Sequence, residues 1–161
     1  MFKYLYFVVI IMSVSCTTTK KSAKDKVEVF RGPVVSCGNA SIFQLNNEKN
    51  RYILVKLDMS NIDSSTRVEI GDPGVTVSLV KFDGDVSNRP CNDVMDDAPK
   101  EISSQQAQHG DLEVTISPEE LEKKRSGAGY RIHLESSNIT FPDGFTFAVS
   151  IHDAYVGWLP G

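Results

Sequence analysis

Apolar and polar residues alternate with a period of two along much of the chain after residue 26, as in strands with one buried face. Val27–Phe30 opens the pattern, and Ser41–Leu45 follows a Cys37-Gly38 pair. Over Tyr52–Met59 the residues Ile53, Val55, Leu57 and Met59 share one face. Val75–Phe82 comes after Gly71-Asp72-Pro73-Gly74, a strong turn signal. Further strands are predicted over Leu112–Ile116, Tyr130–Leu134, Ile139–Phe141 and Phe145–Ile151. Between the last two lies Pro142-Asp143-Gly144, suited to a tight hairpin because proline presets φ and glycine accepts a positive one. The polar run Ser103–Gly110 reads as a loop.

One helix is signposted. Ser117 is placed to cap it, Pro118 takes the first helical position, and Glu120 stands where it can return the capping bond. Basic residues Lys123, Lys124 and Arg125 suit the negative end of its dipole, and Gly127 can stop it. The expectation is one mainly β domain over residues 27–161, an antiparallel β-sandwich or barrel with one short helix.

The first 26 residues follow a different rule. Lys3 precedes an apolar run from Tyr4 to Met12, then the small residues Ser13-Val14-Ser15, then Cys16. That order is the one found in a cleaved secretory signal. The run is too short to span hydrocarbon, which takes about 20 residues of helix. Val14-Ser15-Cys16 resembles the end of a bacterial lipobox, with Ser13 standing where that pattern prefers leucine. The resemblance implies a signal peptide over residues 1–15 and acyl chains on Cys16 as the mature N-terminus. Residues 17–26 contain four lysines and no aliphatic side chain larger than alanine, so they are expected to form a flexible tether. Thr17, not aspartate, follows the cysteine, which by the sorting rule of such lipoproteins implies the outer membrane. With Cys37-Gly38 and the ending Val156–Gly161, the chain resembles small β-rich lipoproteins of bacterial outer envelopes. That resemblance carries over no further functional residue.

Three cysteines make an odd set until Cys16 is assigned to lipid. Cys37 and Cys91 are then expected to form a disulfide in an oxidising compartment. Zinc binding and a catalytic thiol are the rival readings, but the pair lacks zinc-site spacing and neither has a histidine beside it in sequence.

A formal charge of −4 and the lack of a basic cluster in the domain argue against nucleic acid, whose phosphates call for clustered Lys and Arg. No cofactor and no metal site is expected. His133 and His152 read as solvated strand histidines. If the hairpin runs back far enough, His133 meets His152 and Asp153, a set of metal-ligating type. Asp83, Asp85, Asp93, Asp96 and Asp97 form an acidic stretch that starts like a calcium loop. It then lacks the glycine and the final glutamate such loops need. Tyr155 and Trp158 could stack on a sugar, though a lone tryptophan more often plugs a core. Asn39 and Asn138 have the form of glycosylation acceptors. Nucleophile elbows, paired-histidine zinc helices and phosphate loops are missing.

The leading expectation is therefore a membrane-anchored lipoprotein displaying a non-catalytic binding or structural domain, with an envelope protein or glycan as partner. The alternatives are a small envelope hydrolase and a secreted, non-lipidated β-domain that binds glycan or protein.

Overall fold

The computed structural model describes residues 27–92 and 98–157. Their strands are β1 (Glu28–Val29), β2 (Val34–Cys37), β3 (Ser41–Leu45), β4 (Arg51–Leu57), β5 (Thr66–Glu69) and β6 (Val75–Phe82). After these come β7 (Glu101–Gln106), β8 (Asp111–Thr115), the helix α1 (Pro118–Arg125), β9 (Tyr130–Thr140) and β10 (Thr146–Val156). One five-stranded sheet runs β1-β10-β9-β8-β5, and the other runs β2-β3-β4-β6-β7. They form a β-sandwich, and no barrel closes. Neighbouring strands are antiparallel except β1, which lies parallel to β10.

Alternation builds the core between the sheets. Ile53, Val55 and Leu57 of β4 and Val75 and Val77 of β6 meet Leu112, Val114, Ile132, Leu134, Val149 and Ile151 from the other sheet. Fully burying a side chain of this size is worth roughly 1.5–3 kcal/mol. The opposite face of the second sheet is also apolar. Tyr52, Val80, Phe82 and Leu45 form a smaller cluster there with Val86, from the segment after β6. Arg89 stacks its guanidinium 4.6 Å from the Phe82 ring centre and donates to the Pro99 carbonyl.

The segment after β6 is held across this face by a covalent bond. Cys91 is disulfide-bonded to Cys37 on the edge strand β2, with 5.5 Å between their Cα atoms. The expected pairing is formed, and it fastens a cover over a second core.

Five elements depart from the sequence expectation, two of them the edge strands β2 and β5, which no alternation marks. Ser103–Gly110 is not wholly a loop, because β7 occupies Glu101–Gln106. It is an edge strand bonded only to β6, with exposed side chains on both faces, so its sequence needs no apolar alternation. Tyr130–Leu134 and Ile139–Phe141 belong to one run, since β9 continues unbroken from Tyr130 to Thr140. A bulge opposite Ala148 lets its polar middle stay in the ladder. Met59 leaves its predicted strand for a short 3₁₀ turn, Met59–Asn61, capped by the Asp58 carboxylate.

Helix α1 forms where expected, with Ser117 Oγ accepting from Glu120 N at 3.3 Å. Glu120 does not return the bond. Its carboxylate instead accepts from Arg131 N at 2.6 Å and pairs with Lys123, which tie the helix to β9. Lys123 first, then the Arg131 N–H, hold that carboxyl below the usual range. Gly127 (φ 78°) closes the helix, with Ala128 N donating to Lys123 O and Gly127 N to Lys124 O.

Gly32 fills a tighter place. Its N–H donates to Leu45 O, and a Cβ there would lie 2.3 Å from the same oxygen and 2.7 Å from Asn46 O. These are backbone atoms of the Leu45–Asn46 stretch, which cannot swing away as a side chain would. Gly32→Ala is expected to lose about 1–3 kcal/mol by overpacking, measured as a lower urea midpoint. An unchanged midpoint would contradict this packing.

Candidate functional site

The long pairing of β9 with β10 decides what its outer face presents. Register runs from Thr140 opposite Thr146 to Tyr130 opposite Val156. Leu134 faces Ile151 and Ile132 faces Ala154, so the single residue His133 stands opposite both His152 and Asp153. This is a β-bulge, and such bulges re-aim side chains. Asp153 takes φ 56°, the left-handed region that aspartate tolerates better than most residues. Arg131 Nη1 donates to the Asp153 carbonyl at 2.9 Å and steadies the turned backbone.

The outcome is a chain of polar groups on the sheet surface. Ser150 Oγ lies 3.3 Å from His152 Nε2, and the two Nδ1 atoms of His152 and His133 are 3.4 Å apart. Asp153 N donates to His133 Nδ1 at 3.4 Å, while the Asp153 carboxylate lies 3.7 Å from His133 Nε2. The ring centres are 5.5 Å apart and their planes cross at 62°. The hairpin thus runs back far enough to join the histidines.

A hydrolytic triad sets one imidazole between hydroxyl and carboxylate, whereas here a second, His133, stands between His152 and the Asp153 carboxylate. The setting is different. Ser150, His152 and Asp153 are exposed, and β10 is a paired strand, not a turn with N–H groups aimed at a substrate. A groove of about 390 Å³ borders Ser150, walled by Arg67, Asp111, Glu113 and Glu135, but neither histidine lines it. Arg67 and then Asn138 hold the Asp111 carboxyl below its usual range.

A cavity of about 680 Å³ opens at the end of the sandwich where β10 finishes. Lys56, Asp58, Lys124, Tyr130 and Gly157 stand in its wall. Lys124 is committed to the Ile62 carbonyl and to Asp63, and Asp58 to its turn. Burial pushes the Tyr130 hydroxyl up, which keeps it protonated as a donor. The volume suits a small ligand.

Comparison with protein-family models, curated proteins and solved structures gives no match.

Other sequence candidates fall as follows. Asp83 Oδ1 accepts from Lys100 N, and Asp85 Oδ1 accepts from Ser87 N and Oγ. These carboxylates shape turns, and no group of three His, Cys, Asp or Glu converges on a metal position among the described residues. Asp93, Asp96, Asp97, Trp158 and Cys16 lie outside the described residues, as do the predicted signal and tether. Tyr155 lays its hydroxyl against Gly129, where any Cβ would meet it, and is half-buried. His109 bridges to Thr140, away from the histidine pair. No described helix is long and apolar enough to cross a membrane.

Proposed function

We propose that this chain is a lipid-anchored protein of the bacterial envelope, displaying its sandwich as a non-catalytic binding module. One observation carries the reading. The disulfide accounts for Cys37 and Cys91 and favours an oxidising compartment. Of three cysteines, Cys16 alone is left over, directly behind an apolar leader.

Acyl chains on that sulfur would confine the domain near the outer membrane and raise its effective concentration for neighbouring molecules. An envelope protein or a glycan is the proposed partner, and the 680 Å³ end cavity is the place for a small glycan unit. The open setting of the polar chain on β9 and β10 supports a binder over an enzyme.

Expression of the precursor in a bacterium tests the anchor. The parent chain is expected in the membrane fraction with the mass of an acylated protein cut before Cys16. Cys16→Ala should be soluble and lack the lipid mass. Equal masses and equal partitioning would remove the reading.

A hydrolase is the second reading, favoured by the 3.3 Å approach of Ser150 to His152. A fluorophosphonate probe separates the two. The binding reading expects no adduct on Ser150, and stoichiometric labelling there would replace it with the hydrolase.

A further inference from the structure

We propose that His133 and His152 form a clip for one zinc ion, held by their two Nδ1 atoms on the outer face of β9 and β10. The site is independent of the lipid anchor.

The first argument is distance. With zinc–nitrogen bonds of about 2.05 Å and a tetrahedral angle, two imidazole nitrogens sit ~3.3–3.4 Å apart. The two Nδ1 atoms already lie 3.4 Å apart. A square-planar ion holding neighbouring nitrogens at a right angle would need ~2.9 Å, so the gap favours a tetrahedral ion.

The second argument is where the protons go. His133 Nδ1 accepts from the Asp153 N–H, so its lone pair is on that atom. Its Nε2, carrying the proton, faces the Asp153 carboxylate at 3.7 Å. That is the arrangement of a ligating histidine backed by a carboxylate, which fixes the tautomer and raises ligand basicity. His152 matches it when Nε2 donates to Ser150 Oγ, 3.3 Å away. In that tautomer both lone pairs point into one gap, where a zinc ion takes the place of the proton that otherwise bridges the two Nδ1 atoms. A zinc ion satisfies both, replacing the long 3.4 Å contact from Asp153 N.

The third argument is preorganisation. The bulge sets two residues of β10 opposite His133, and the Arg131–Asp153 bond holds it. The histidines sit on paired strands, so ion binding needs little reordering of the backbone. Since no third His, Cys, Asp or Glu converges among the described residues, water completes the shell. Such a site is exchangeable, not structural.

The test uses the full chain in detergent, carrying Cys16→Ser so that no free thiol competes. It is titrated with zinc alone, by calorimetry and by ¹⁵N spectra of the imidazoles. One zinc per chain is expected, with both Nδ1 resonances of His133 and His152 shifting. His133→Ala and His152→Ala should each weaken binding about tenfold or more, and Asp153→Asn should weaken it about tenfold. His109→Ala should change nothing. Urea midpoints of all variants should match the parent, which shows that lost binding is not lost folding. The proposal is overturned by any of three results: undiminished affinity in either alanine variant at positions 133 and 152, shifts confined to Nε2, or no uptake at millimolar zinc by folded protein.

Discussion

Phe147→Ala is expected to destabilise the domain by about 3–5 kcal/mol, the range for emptying an aromatic site in a packed interior. Phe147 is 1% exposed and meets Phe30 edge-on at 5.5 Å and Phe141 at 5.3 Å. Its strand neighbours are Glu28 of β1 and Ile139 of β9. The void would therefore open where the parallel strand, the long hairpin and the inter-sheet core join, a place with little freedom to collapse. Phe145 supplies the control. It is two residues away and 57% exposed, so Phe145→Ala should move stability by less than about 0.5 kcal/mol. Urea unfolding of both variants decides the matter, and equal midpoints would refute the burial assigned to Phe147.

The double change Cys37→Ser/Cys91→Ser should cost roughly 4 kcal/mol by loop entropy alone, for a loop whose ends are 54 positions apart. A second effect adds to the first. Without the bond, the segment carrying Val86 and Arg89 is held over Tyr52, Val80 and Phe82 only by hydrogen bonds and packing. The Val86 N–H, which donates to Lys49 O at 2.8 Å, should exchange much faster with solvent in the double variant. Protection unchanged at Val86, with stability within about 1 kcal/mol of the parent, would show that the bond clamps nothing.

The strands that carry the inter-sheet core were legible because burial on one face writes itself into alternation, as in Ile53, Val55 and Leu57. The edge strands β2, β5 and β7 were not. Glu101–Gln106 is held by main-chain bonds that any residue can make, and its side chains meet solvent on both faces, so no apolar rhythm marks it. The long β9 was obscured at Glu135–Asn138, where a bulge permits a polar run inside a strand. Helix α1 could be placed from its caps, yet the partner of Glu120 could not, because Arg131 reaches it only through the fold.

The site shows the same division. His133, His152 and Asp153 could be named together only on condition that the hairpin extended far enough. That two residues of β10 would face His133 follows from a bulge whose only local sign is an aspartate able to adopt positive φ. The Cys37–Cys91 pair was reached by counting cysteines. That it seals a second apolar cluster is a fact of three dimensions.

The parallel run of β1 beside β10 gives the domain a polarity. The polypeptide comes in at β1 next to Phe147 and leaves β10 after Val156, so these points sit at opposite poles, ~30 Å apart at about 3.3 Å per residue. The pole with exposed Val27, Val29 and Phe145 is where the chain enters, and the open cavity lies at the other, so a ligand held there leaves the entry pole uncovered.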